Sequence, residues 1–300
     1  MARWSSVSSR HCGFHSALVG GALWRKLTKG DDVVNSLLPG PLRDRTFRIY
    51  LWLAFGITWG VGGIGLLVDA FRSGGTPPQH RPLYMLASYG PSIAGIIMSA
   101  RAGAGAAVRA LLARVVPRRS SVAWYLGVIV VFGAANIALT RLIAPSAFLR
   151  LASWGTLLGL LPLTMFIDTG PIGEELGWRG FALPRLLEAR TPLNAAIVLG
   201  LIWFAWHLPT FFISTLSQSQ LPIALFCVNS IALSILMTWV YLRTAGDLFA
   251  MILIHTMANW CGAIGIPFPV EVLAEVGLAA LVAVAGGLRR SGETLMPVEA

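Results

Sequence analysis

Charge is what this sequence has least of. Only 12% of its 300 residues are Asp, Glu, Lys or Arg, where an ordinary soluble domain carries about 25%. So few charges cannot cover a water-facing surface. A soluble enzyme, a disordered chain and a nucleic-acid-binding domain of the usual kind are excluded on that ground. Cysteine is also scarce. Cys12, Cys227 and Cys261 are odd in number and far apart, so we expect no disulfide framework and read them as small buried hydrophobes. Lysine occurs twice against 21 arginines, which we read as coding bias. No internal repeat suggests the inverted halves of a transporter. There is no HExxH, which excludes a standard zincin. No Ser-His-Asp order or nucleophilic cysteine context competes.

What is present is apolar. Hydrophobic residues make up 56% of the chain and its mean hydropathy is +0.71. A membrane helix needs about 20 mostly apolar residues. Eight stretches are candidates: 47–68, 84–100, 122–143, 156–177, 193–213, 222–242, 247–264 and 271–288. Most have no charge in the middle, and the fourth is the exception. The expected fold class is all-α, a polytopic membrane helix bundle of about eight transmembrane helices. It spans 47–290, with a weakly ordered cytoplasmic extension over 1–46 and a cytoplasmic tail over 291–300. The first 46 residues have no long apolar core before a small-residue cleavage site, so they do not read as a cleaved signal.

The net charge of +10 reads as topology. Arginine and lysine concentrate in the first 48 residues, in 101–121, after the fourth span (Arg179, Arg185, Arg190), at Arg243, and at Arg289 and Arg290. These alternate segments hold 19 of the 23 basic residues. The asymmetry predicts both termini in the cytoplasm, and the expected location is a bacterial cytoplasmic membrane.

Charges inside a membrane cost roughly 2.5–3.5 kcal/mol each on insertion scales, so the polar groups within the spans stand out. The fourth span runs into Gly173-Glu174-Glu175-Leu176-Gly177-Trp178-Arg179-Gly180. Glu175 and Arg179 are four apart, share a helical face and can pair. Glu174 points about 100° away and has no such partner. A helix end with an interfacial salt bridge explains part of this, but two adjacent acids exceed what one arginine needs. The fifth span carries Trp203-Phe204-Ala205-Trp206-His207-Leu208-Pro209. Pro209 removes one helical hydrogen bond and is expected to free the carbonyl of Ala205. The seventh carries His255 and Asn259, one turn apart on one face. Taken singly, each histidine is more often a packing residue, and the His255–Asn259 pair an interhelical contact.

Taken together, the set suits water activation. A carboxylate and an imidazole can hold and deprotonate a water. A second imidazole and an amide can donate to the oxyanion formed when water attacks a carbonyl. By ligand type, a zinc site from a glutamate and two histidines is also open.

The three segments, in this order, resemble the CPBP family of intramembrane proteases. These are the type 2 CAAX prenyl endopeptidases and the bacterial bacteriocin-processing or immunity proteins. EExxxR is matched by Glu174, Glu175 and Arg179, and FxxxH by His207 with Trp203 in place of Phe. The third motif, His with Asn four residues on, is matched by His255 and Asn259. Tyr89-Gly90-Pro91-Ser92 resembles the Gly-Pro segment that precedes the family's core. The resemblance covers about 85–265. It implies a helical bundle with an intramembrane cavity open to the cytoplasm. It implies an endopeptidase in which Glu174 and His207 activate water and His255 and Asn259 sit near the oxyanion, with Glu175 and Arg179 in support. It leaves the cofactor as none, or a divalent metal such as zinc on Glu174, His207 and His255. The implied partners are membrane lipid and a peptide or membrane-protein substrate, with no nucleic acid; oligomeric state is not readable. The alternative is a non-catalytic membrane protein, a transporter or assembly partner, whose polar groups line a pathway.

Overall fold

The computed structural model describes residues 44–72, 82–148, 169–214 and 216–285, with residues 159, 161, 165 and 288 singly. Residues 1–43 of the expected extension and the expected tail lie outside the described residues, as do Cys12, His11, His15 and His80. Among the described residues every regular element is helical. In chain order they are α1 (Arg45–Arg72), α2 (Pro82–Ser88), α3 (Gly90–Ala113), α4 (Val122–Ile143), α5 (Pro145–Phe148) and α6 (Thr169–Gly177). They continue with α7 (Leu183–Ala189), α8 (Pro192–His207), α9 (Ile223–Arg243), α10 (Leu248–Ala263) and α11 (Phe268–Val284).

The chain is an integral membrane protein. Among the described residues, five helical segments are long and apolar enough to cross a membrane: Arg45–Ile64, Gly90–Ala113, Arg119–Ile143, Pro192–Phe212 and Ile223–Arg243. The expected count of eight is larger. Helix α10 has 16 residues, about 24 Å at 1.5 Å per residue, against a hydrocarbon core of about 30 Å. Most of the expected span 156–177 lies outside the described residues. The surface is apolar where a soluble protein's would be polar. Trp52, Val130, Leu142, Leu281 and Val284 are exposed, while Glu174, Glu175, Arg179, His255, Thr256 and Glu275 are buried.

The expected second span, 84–100, is two helices. Pro91 lies in the first turn of α3, where its missing N–H costs that helix nothing, and it has no N–H to give the Ala87 carbonyl one turn back. Helix α2 therefore stops at Ser88. The carbonyl of Ala87 accepts from the Thr58 hydroxyl at 2.7 Å. Helix α3 then runs on through residues the sequence reading placed in a loop, with a break at Gly103 and Ala104.

Helix α6 carries the two acids and packs against α3 at backbone distance. Gly173 and Gly177 are four apart and present one small-residue face, the spacing that lets membrane helices approach. A Cβ on Gly177 would lie 2.1 Å from the Pro91 carbonyl oxygen and 2.8 Å from the Tyr50 hydroxyl. Backbone cannot retreat as a side chain can. Gly177→Ala is expected to cost about 1–3 kcal/mol or more by overpacking, read as a lower thermal midpoint in detergent. An unchanged midpoint would contradict this packing.

Candidate active site

Helix α6 ends at Gly177 and its backbone widens into a π-helical turn over Trp178–Ala182. Such turns are rare and occur often at functional sites. The carbonyl of Gly180 would normally meet the N–H of residue 184, but Pro184 has none. Arg114 Nη1 donates to that carbonyl at 3.2 Å, while its Nε and Nη2 donate to the Gly246 carbonyl and the Tyr241 hydroxyl. Arg114 therefore joins α3, the π turn and the α9–α10 connection. The sequence reading had counted it only among the basic residues that set topology.

The pairing expected at Glu175 and Arg179 is present. Arg179 Nη1 donates to both Glu175 oxygens, at 2.9 and 3.1 Å, and both side chains are fully buried. A third group joins them across the bundle. His255 Nδ1 lies 2.8 Å from Glu175 Oε1. Helix α10 sets that position from its start. Asp247 caps it, accepting from the Ala250 N–H through Oδ1 and from the Tyr125 hydroxyl through Oδ2. The N–H of Leu248 bonds the Arg114 carbonyl. His255 follows two turns later. Asn259 stands one turn further on and is half-buried.

Glu174 does have a partner, and sequence spacing within its own helix could not have shown it. Trp203 Nε1 on α8 donates to Glu174 Oε2 at 2.6 Å. One turn on, His207 Nδ1 lies 3.0 Å from the Trp203 carbonyl. A carbonyl only accepts, so Nδ1 carries the proton and Nε2 of the neutral ring holds a lone pair. The Trp203 ring also lies under the Arg179 guanidinium, 4.5 Å from its centre, and 5.2 Å from the His255 ring. Exposure divides the group. Glu175 and Arg179 retain none, while Glu174, His255 and His207 retain 4%, 4% and 9%.

Pro209 acts differently from the expectation. The α-helix ends at His207 and passes into a 3-10 turn over Leu208–Phe212. The Leu208 N–H takes up the Ala205 carbonyl, which is therefore not free. Trp59 Nε1 on α1 donates to the next carbonyl, that of Trp206, at 3.0 Å. The turn that presents His207 is held by both contacts.

Two further acids, not among the expected site residues, lie in the eighth candidate span. Glu271 and Glu275 on α11 are buried, and neither Glu275 oxygen has a hydrogen-bond partner among the described residues. They are one turn apart on the eighth candidate span, the same signal that singled out Glu175 and Arg179. Cys227 and Cys261 are free thiols.

The donors do not assemble a metal site as drawn. Among the described residues no group of three or more His, Cys, Asp or Glu side chains stands at metal-binding distance. Glu174 and His255 are turned to separate partners. Glu174, His207 and His255 do not fit one shared ion in this arrangement.

Comparison with known proteins agrees with the motifs. Residues 160–261 match the family model described as "Type II CAAX prenyl endopeptidase Rce1-like". A curated relative, "CAAX prenyl protease 2" of Methanococcus maripaludis, is 28% identical over 105 residues. The match covers 33% of this chain and 39% of the relative's length. The resemblance to the CPBP proteases is borne out, and it is concentrated in the segment from α6 to α10 that holds the site.

Proposed function

We propose, from the match of residues 160–261 to the Rce1-like type II CAAX prenyl endopeptidase model, that this membrane protein is an intramembrane endopeptidase. The observation that carries the reading is the joining of α6, α8 and α10 through Glu175 with Arg179 and His255, and through Glu174 with Trp203 beside His207. An acid and two imidazoles so held in an apolar bundle are costly to bury, and general acid–base catalysis gives them a use. Glu174 and His207 activate a water. The water oxygen bonds the scissile carbonyl carbon, and its proton passes to the Glu174 carboxylate or to His207 Nε2. The same proton then goes to the amine as the C–N bond breaks. Asn259 donates to the oxyanion, and so does His255 Nε2 when the ring is an imidazolium whose Nδ1–H stays on Glu175. Glu175 and Arg179 fix His255 and the π turn.

The substrate is a membrane-associated protein or peptide, cut near the cytoplasmic face through a cavity open to that side. Both termini lie in the cytoplasm, and the membrane is a bacterial cytoplasmic membrane. The matched relative is named for prenylated CAAX substrates, so a farnesylated CAAX peptide is the first probe and an unprenylated transmembrane peptide the second. Purified protein in proteoliposomes is expected to cleave one of the two quenched fluorescent probes. His207→Ala should lower the rate by about 10²–10⁴-fold, and a chelator should leave it unchanged. Loss of cleavage on chelation would favour zinc on Glu174, His207 and His255. Turnover of His207→Ala at the wild-type rate would sink the reading.

A further inference from the structure

Phe would fill the aromatic position of FxxxH with carbon alone, but here Trp203 stands in it and brings an N–H. Three contacts of this one residue reach three groups of the site. Its indole N–H donates to Glu174 Oε2 at 2.6 Å, a short bond to an ionisable acceptor. Its ring carries the Arg179 guanidinium at 4.5 Å, and Arg179 in turn holds Glu175. Its carbonyl accepts from the His207 Nδ1–H, with nitrogen and oxygen 3.0 Å apart. The first contact belongs to tryptophan only, the second to an aromatic ring, and the third to any residue. The three can therefore be separated by substitution.

The geometry points to Trp203 as a positioning residue: its indole N–H sets the orientation of the Glu174 carboxylate relative to His207. This rests on the peptidase reading. The bond holds Glu174 Oε2 against α8, one turn before His207. Trp203 is only 5% exposed, so no bulk water replaces its N–H when that is removed. Without it, the Glu174 carboxylate loses its tie to the helix that carries His207. Reacting groups displaced by about 1 Å can lose about 100-fold in rate. Substrate binding does not use this bond, so the loss falls on kcat and leaves KM in place.

The test has a spectroscopic arm and a kinetic arm. In protein labelled with 15N-tryptophan, the indole peak absent from Trp203→Phe is that of residue 203. Glu174→Gln is expected to move this peak more than those of the other indoles, because a neutral amide oxygen is a weaker acceptor than a carboxylate. An unmoved peak overturns the proposal, whether or not the protein is an enzyme. Kinetically, Trp203→Phe should lower kcat on the cleaved probe peptide by about 10–100-fold, with KM within about 2-fold. A benzothienyl analogue of tryptophan placed at 203 keeps the ring shape, removes only the N–H, and should give the same loss. If Trp203→Phe misfolds, the analogue carries both the peak assignment and the kinetics. Wild-type kcat in the analogue overturns the positioning role. A moved peak in a protein that cuts neither probe overturns the role together with the peptidase reading, leaving the bond as packing. A moved peak in an active protein that keeps wild-type kcat without the N–H overturns the role alone.

Discussion

Glu175→Ala is expected to lower stability by about 3–5 kcal/mol and to abolish peptidase activity. Glu175 Oε1 serves both Arg179 Nη1 and His255 Nδ1, and the glutamate and arginine are fully buried. Among the described residues, Arg179 Nε and Nη2 have no hydrogen-bond partner. Removing the carboxylate leaves a guanidinium charge buried against the Trp203 ring. The cost comes mainly from the group left behind and less from the bond lost. It follows that Glu175→Ala combined with Arg179→Met should regain most of the lost stability, since the stranded charge is gone. It should not regain activity, because His255 still lacks the carboxylate that orients it. The thermal midpoints of the single and double variants in detergent check both statements. A single variant that melts with the wild type would contradict the burial described for this pair.

Glu174→Gln has the opposite profile. It should lower kcat by about 10²–10⁴-fold while leaving the fold and KM near wild type. Gln keeps the shape of Glu, and its amide oxygen still accepts from Trp203 Nε1, so α6 and α8 stay joined. What is lost is a group that can take a proton from water. A large change in KM with kcat preserved would instead mark Glu174 as a binding residue. Glu175 and Glu174 are adjacent in sequence, yet one substitution removes stability and the other removes only rate. Their surroundings explain the contrast: Glu175 holds a buried cation, and Glu174 accepts from a neutral indole.

Local features were legible in the sequence. A spacing of four placed Arg179 over Glu175, and the structure keeps that pair even though the backbone widens to a π turn between Gly177 and Leu183. The stretch 122–143 is α4 to the residue, because Arg118 and Arg119 stand before it and Pro145 follows. What was not legible lies between helices. No pattern within 169–182 says that Glu174 will meet an indole 29 residues on, or that Glu175 will meet an imidazole 80 residues on. Reading Trp203 only as a departure from Phe hid its N–H. Pro209 was read as freeing the Ala205 carbonyl, but a helix ending in a 3-10 turn recovers it through the Leu208 N–H. The position of Glu271 and Glu275 at the start of the eighth span does not show that both are buried. Their burial on α11 is as much a signal as that of Glu174.

The central claim is that this membrane protein hydrolyses a peptide bond with Glu174 as the proton acceptor. Mass analysis of the products from wild-type and Glu174→Gln protein tests it most directly, with each purified in proteoliposomes and given the same peptide in heavy-oxygen water. The wild type should yield two fragments, with one heavy oxygen in the new carboxyl group, and Glu174→Gln should leave the peptide intact over the same time. Equal yields of the same fragments from both proteins would contradict the account.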